Sequence, residues 1–409
     1  MSGDSGQLSF SVIVVSWRRP DWLARCLCGL RQLDHPNFEI IVVADTPSLM
    51  ANDLTGMKSR ACDTPNISVA HNAGILEAAG QYCAFIDDDA VPEPLWLRHH
   101  EKALGQNKSD ASVGYVRGRN GISFQSRLHS VDDKGSTYVE RDQGTGPTIP
   151  NLPDSRVLKL IGTNMVIRRE ALIEIGGFDS AYSYFLDDSD ISRRLFQFGY
   201  TIVSAPLAEV HHGFASSSRR TSRRAPRDLF EIGRSSAIFE RRHRNFCSQK
   251  LPNEIRIRER IRLLKHMVLG TLEPRDVKRL MATLKSGWQL GVKENLPEIK
   301  KLHAGSRPFL HFKPLPPGHK VLVSRLLGRR SALRKAKELA RTNRVSLFSF
   351  SLTPVRQHVR YLPPGVWAQI GGQFGPSVRK RPWFEWCKFE PRATKEMSRV
   401  AKQRGLEVD

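Results

Sequence analysis

The chain has 409 residues, 40% of them hydrophobic and 26% charged, enough for two domains with buried cores and too apolar for wholesale disorder. No apolar run reaches the roughly 18 residues that span a bilayer, and the opening MSGDSGQLSF lacks the basic-then-apolar pattern of a secretory signal. The net charge of +23 divides unevenly: residues 1–216 hold 20 Lys and Arg against 26 Asp and Glu (net −6), and residues 217–409 hold 44 against 15 (net +29), so different partners are expected for the two halves. Six cysteines without a CxxC pair exclude a zinc ribbon or thioredoxin-type motif and fit the reduced thiols of a cytosolic chain.

Residues 10–17, FSVIVVSW, read as a buried parallel strand. Pro20 and Asp21 open a helix, with Asp21 as its expected N-cap and Trp22, Cys26 and Leu30 recurring every four residues. A second strand is expected over 38–44 and a short third over 67–70; a helix over 72–80 ends at Gly80. The fourth strand, 82–86, runs into Asp87, Asp88 and Asp89. This alternation predicts an α/β fold, a mostly parallel sheet with helices on both faces. Residues 117–156, rich in Gly, Ser, Asp, Thr and Pro, read as a long mobile loop of the kind that covers a site. Helices fit 169–175 and 190–198, and a strand fits 200–204.

From residue 216 the composition changes. SSSRRTSRRAPR has no apolar face; basic helical patterns follow to about residue 301. After PLPPGHK a strand, a basic helix and three further strands suggest a small α/β unit. The expected division is 1–216 for a catalytic domain, 217–310 for a basic helical region and 311–409 for a small basic α/β unit.

Three adjacent carboxylates at a strand end repel one another unless a cation or hydrogen-bond donors compensate. Hard divalent ions take oxygen ligands and share them with phosphates, and ligands of open α/β sheets collect beyond the carboxyl ends of the strands. The alternative for Asp87–Asp89 is a solvated acidic turn. In Asp187-Asp188-Ser189-Asp190, Asp190 suits a helix cap, and Asp188 suits either a cap or a base that takes a proton from a hydroxyl. His211 and His212 could ligate a metal or be structural. Asp45, after the second strand, could read a nucleobase or cap a turn with Pro47.

The ordered segments SVIVVSWRRP, EIIVVAD, HNAGILEAAGQYCAFIDDD, GTNMVIRREALIEIGGFD, FLDDSDISRRLFQFGY and APLAEVHHG resemble glycosyltransferase family 2, of the GT-A (Rossmann-like) fold, over about the first 216 residues. The resemblance implies a metal-dependent, inverting transfer of one sugar from a nucleotide-sugar, with a UDP-sugar as donor. It implies nucleotide contacts from Asp45, His71, Asn72, Gly74, Asp87 and Asp88, although Ala44 and His71 depart from the family's Asp and Arg. The D-x-D equivalent, Asp87 and Asp89, with His212 or less favourably His211, would bind Mn²⁺ or Mg²⁺. Asp188 matches the catalytic base, with Asp stead of Glu before it at Asp187. Gly162, Thr163, Asn164 and Asp187 would lie near the donor sugar and acceptor. The Q-x-x-R-W motif of processive synthases is absent, which favours single-sugar transfer.

For the basic half the candidate partners are an anionic membrane surface, an anionic acceptor or nucleic acid. No specific nucleic-acid motif is present. The expected setting is cytoplasmic, with peripheral contact at the inner face of the membrane, and the acceptor is a hydroxyl of a glycan or lipid-linked sugar. A sugar nucleotidyltransferase would need a glycine-containing phosphate loop, and SWRRPDW has no glycine. The rival from another class is a basic membrane- or polyanion-binding protein with an inactive glycosyltransferase-like domain.

Overall fold

The computed structural model describes residues 7–215, 219–221, 223–244, 246–303, 305 and 307–407; part of the SSSRRTSRRAPR segment lies outside them. The first half runs β1 (Phe10–Ser16), α1 (Pro20–Leu30), β2 (Phe38–Ala44), α2 (Thr46–Met50), β3 (Lys58–Ala61), α3 (Ile67–Glu77), β4 (Tyr82–Asp87), β5 (Ala90–Pro92) and α4 (Trp96–Asn107). It continues with β6 (Ala111–Arg117), β7 (Phe124–Ser126), β8 (His129–Val131), β9 (Thr137–Val139), β10 (Val157–Leu158), β11 (Met165–Arg168), α5 (Arg169–Glu174), α6 (Asp187–Gln197) and β12 (Ile202–His212).

The main sheet has the order β3-β2-β1-β4-β11-β6-β12-β5, with β7 beside β6. β1, β2, β3 and β4 pair in parallel, as do β6 and β12; β11 and β5 run against their neighbours. The mostly parallel α/β sheet expected from the sequence is therefore present. Alternation along the strands explains its two cores. Val12, Val14, Ile40, Val42 and Ala84 face α1 and α4, while Ile13, Ile41, Val43 and Phe85 face α3, α5 and α6.

Three expectations are corrected. Residues 67–70 are not a strand: Asn66 accepts from the Ser68 and Val69 amides and starts α3 there, five residues before the expected helix. Segment 117–156 is not structureless, because β8, β9 and β10 form a small antiparallel sheet and β7 joins the main one. Asp21 lies in the first turn of α1, whose N-cap is Arg19.

The second half contributes α7 (Phe230–Arg244), α8 (Asn253–Val268) and α9 (Pro274–Lys293), then β13 (His319–Arg325), α10 (Arg329–Leu339), β14 (Arg344–Ser351), β15 (His358–Leu362), β16 (Val366–Gly372) and α11 (Phe389–Arg404). A Cβ at Gly287 would lie 1.9 Å from the Phe230 carbonyl oxygen, so glycine permits the close crossing of α7 and α9. The last four strands form a third sheet, β13-β14-β16-β15. Some of the basic charge is internal mortar. Arg344 donates to the Gln32 and Leu33 carbonyls, Arg242 pairs with Asp179, and Arg404 reaches Glu93. All six cysteines are free. Among the described residues, no helix is long and apolar enough to cross a membrane.

Candidate active site

The carboxyl ends of β1, β2 and β4 meet where β12 closes back against β5. Asp87 ends β4, and Asp87, Asp89 and His212 bring ligand atoms within 4.8 Å of one another. Asp88 serves a separate role in the same turn: it is fully buried, accepts from Ser16 Oγ at 2.7 Å and pairs with Arg19 at 2.7 Å. Asp89 accepts from the Ala215 amide at 2.8 Å and meets His212 Nε2 at 3.1 Å. His212 Nδ1 lies 2.8 Å from Gln125 Oε1, an acceptor, so Nδ1 carries a proton; Nε2 then donates to Asp89 when the ring is charged and offers its lone pair to a cation when the ring is neutral.

The charges are out of balance. Burial, then the charge of Asp89, raises Asp87. Burial pushes Asp88 up to about 7 against the pull of Arg19. Asp89 goes the other way, to about 2: burial would raise it, but the hydrogen bond and charge of His212 prevail. Two carboxylates and an imidazole, one carboxylate held up by its neighbour, are a fitting donor set for a divalent cation, which would relieve that repulsion.

Across from this cluster stands the start of α6. Its N-cap is Leu186, at φ 68°, so Asp190 is not the cap; it is buried inside the first turn, held by Arg194 at 2.7 Å and His243 at 2.9 Å. Asp187 is buried, and burial first, then the charge of Asp188, raises it well above the carboxylate range; Asp87 adds to the rise, so the two acidic clusters sense one another. Asp188 binds Lys159 Nζ at 2.7 Å. Nothing in the sequence around Lys159 marked it as the counter-charge.

A cavity of about 350 Å³ opens at the ends of β1 and β2, lined by Trp17, Arg18, Asp45, Ser48 and Asp63 among others. Asp45 caps α2 by accepting from Ser48, and it accepts from the Arg18 amide at 2.6 Å. Arg18 adopts φ 54°, a conformation rare outside glycine, which aims its amide at Asp45. Asp63 holds the Thr46 amide and hydroxyl. Asp45 therefore caps a turn and also lines the pocket. Trp17, Arg18 and Asp63 were not singled out by sequence; only the strand-end position of the first two offered a signal.

Several expected contacts are instead structural. His71 is buried between Phe85 and Phe178, with ring centroids at 5.2 and 4.5 Å, and burial lowers it to about 3, so it is a neutral core residue. Asn72 grips the Phe178 amide and carbonyl. A Cβ on Gly74 would lie 2.5 Å from Ile13, so Gly74 lets α3 press on β1. The early start of α3 explains all three, because it turns these residues inward. Asn164 is fully buried, its amide donating to the Tyr115 and Ala208 carbonyls and accepting from Trp96 and His100. Thr163 is buried with its hydroxyl unpartnered, and Gly162 is half-buried with open space at its Cα. His211 is buried against Trp367 and bound to Glu93 at 2.7 Å, away from the cluster.

Residues 11–176 match the model of glycosyl transferase family 2, a span that holds β1 to α5 and the Asp87–Asp89 turn. The Pre-mycofactocin glycosyltransferase of Mycobacterium tuberculosis is 28% identical over 159 residues, covering 37% of this chain and 31% of the relative. The N-acetylglucosaminyl-diphospho-decaprenol L-rhamnosyltransferase of the same organism is 39% identical over 61 residues, 15% of this chain and 20% of its own. Succinoglycan biosynthesis protein ExoM of Rhizobium meliloti is 25% identical over 218 residues, 50% of this chain and 66% of its own. A solved structure of GalNAc-T7 with UDP, GalNAc and Mn²⁺ superposes with a TM-score of 0.41 at 16% identity, over 53% of this chain and 46% of that one. The match to the first of these relatives spans about a third of its length. Residues 11–176 thus carry the sequence features of glycosyl transferase family 2.

Proposed function

We propose that this protein is a non-processive, inverting glycosyltransferase that moves one sugar from a nucleotide-sugar, a UDP-sugar, to a hydroxyl of a glycan or lipid-linked sugar. The observation that carries the reading is the Asp87–Asp89–His212 cluster at the end of β4, close enough to Asp187 for their charges to interact. The name of the L-rhamnosyltransferase relative supports the lipid-linked class of acceptor.

The cavity at Asp45 takes the nucleobase end of the donor, with Trp17 as its apolar wall and Asp45 and Asp63 as hydrogen-bond acceptors. Asp87, Asp89 and His212 hold a divalent ion, which when bound neutralises charge growing on the leaving diphosphate. Arg19, shared between Asp88 and Asp89, supplies a further fixed positive charge at that end. Asp188 takes the proton of the acceptor hydroxyl as its oxygen attacks the anomeric carbon from the face opposite the leaving group, which inverts the configuration. Lys159 holds Asp188 in place.

Calorimetric titration of UDP with and without Mn²⁺ tests the donor half, and metal-dependent binding is expected. Metal-independent behaviour would return the chain to the binding-protein rival. For the acceptor half, Asp188→Asn is expected to keep donor affinity and lose about 10²–10⁴-fold in transfer rate. Transfer at the wild-type rate would move the base elsewhere, with Asp187 the next carboxylate to replace.

A further inference from the structure

The helical layer carries a surface that the transfer reaction does not use. On α8, Ile257, Ile261 and Val268 are 51%, 48% and 84% exposed, followed by Leu269 at 70%. With half-buried Leu264 they recur at i, i+4, i+7 and i+11, one ridge along the helix. Ile255, Glu259 and Leu263 form the opposite, buried face. Arg256 and Arg260 flank the ridge on one side, and Arg258 and Lys265 flank it on the other, all exposed.

Beside the ridge, between α8 and α9, lies a cavity of about 790 Å³. Lys250, Arg256, Arg260, Lys278 and Lys285 ring it, and its apolar lining includes Leu251, Val277 and Met281. No carboxylate is among the lining residues. Residues 249–293 hold eleven Lys and Arg against four Asp and Glu, a net +7. Two of those acids are engaged by arginines on the same helices: Glu259 by Arg258 and Arg262, and Asp276 by Arg279.

We propose that the α8–α9 face docks on a bilayer rich in anionic phospholipid. The Ile257–Ile261–Val268–Leu269 ridge enters the boundary between headgroups and acyl chains, and the cationic basin seats lipid phosphate. An apolar ridge flanked on both sides by cations is the pattern of a helix lying in a membrane interface. Charge complementarity names the occupant: a protein partner would need an acidic rim matched to an apolar groove, whereas a bilayer surface offers phosphate over hydrocarbon along the whole ridge. The proposal does not depend on the transfer reaction.

The test is vesicle flotation of the full chain. Vesicles of phosphatidylcholine with about a third phosphatidylglycerol should carry the protein up, pure phosphatidylcholine should not, and 0.5 M salt should release it, as expected for an electrostatic contribution. Ile257→Ser with Ile261→Ser, and separately Lys278→Ala with Lys285→Ala, should each weaken flotation at least tenfold with unchanged thermal melts. Arg334→Glu with Lys337→Glu, on exposed α10, reverses two charges elsewhere and should leave flotation within twofold. Equal flotation with both lipids, no flotation, or an effect from α10 as large as from α8 and α9 would overturn the proposal. So would a change in oligomeric state of the Ile257/Ile261 variant without loss of flotation, which would assign the ridge to a second copy of the chain.

Discussion

Two histidines, adjacent on β12, sit at two ends of one charge problem. His211 joins Glu93, which also accepts two hydrogen bonds from Arg404, and the Trp367 ring packs against the imidazole at a tilt, 4.7 Å between centroids. Every charge in that group has a partner. His212 joins Asp89, beside an Asp87 that burial and like charge leave short of a cation. Successive residues of a strand point to opposite faces, so one register separates a closed junction from an open site. The closed side binds α11 to the main sheet; the open side is arranged for a ligand.

The comparison breaks most sharply at Asp89. Asp89→Ala should abolish Mn²⁺-dependent UDP binding and lower transfer by about 10³-fold, in the range of a lost electrostatic stabiliser. Its melting temperature should fall modestly, because the carboxylate removed is the one that, against its burial, His212 and the Ala215 amide hold at about 2, and its charged form stabilises the folded chain at neutral pH. A variant that still binds nucleotide in a metal-dependent way would place the cation elsewhere.

Arg404→Ala attacks the other side. It strands Glu93 in the interior with only His211, and breaking a buried pair in this way costs about 3–5 kcal/mol. Urea denaturation should show that loss, and Mn²⁺-dependent UDP binding by the remaining folded protein should be unchanged. If stability moves by less than about 1 kcal/mol, water reaches Glu93 and the junction is not closed.

Gln125→Ala sharpens the open side. Gln125 touches only the far nitrogen of His212, as residues behind metal ligands do, and such losses weaken a metal about 10–100-fold. Mn²⁺ affinity should fall within that range while metal-free stability holds. Unchanged affinity would mean that His212 is not a ligand.

The same two sides show what the sequence could reveal. Asp87, Asp89 and His212 were legible because each follows an apolar strand, and strand ends converge whatever the loops do. The sheet itself was legible from its apolar strands. His71, Asn72 and Gly74 were misplaced because a capping asparagine six residues before the expected start moved α3, and with it every side chain's face. The Glu93–Arg404 and Asp188–Lys159 pairs join residues 311 and 29 apart, and no local pattern reports a partner at that separation. Gln125 was hidden for a related reason: β7 is a three-residue strand recruited by β6, too short to show a period.

His71 supplies the mildest test, a histidine closed off by packing alone. His71, His100 and His319 are each lowered to about 3, chiefly by burial, from an ordinary 6.5. Above pH 6.5 neither the folded nor the unfolded chain protonates them. Between 6.5 and about 3 the unfolded chain takes up protons that the folded chain refuses, so stability falls as pH falls, by about 1.4 kcal/mol per pH unit for each histidine. His71→Phe keeps an aromatic ring between Phe85 and Phe178, and Nδ1 of His71 has no hydrogen-bond partner to lose. At pH 7.5 the variant should match the wild type within about 1 kcal/mol. In urea melts from pH 6 to 4 it should lose stability less steeply, by one histidine's share, and become the more stable chain at the acid end. Parallel curves for the two proteins would show that His71 protonates in place, and that the packing around α3 is looser than its ring contacts imply.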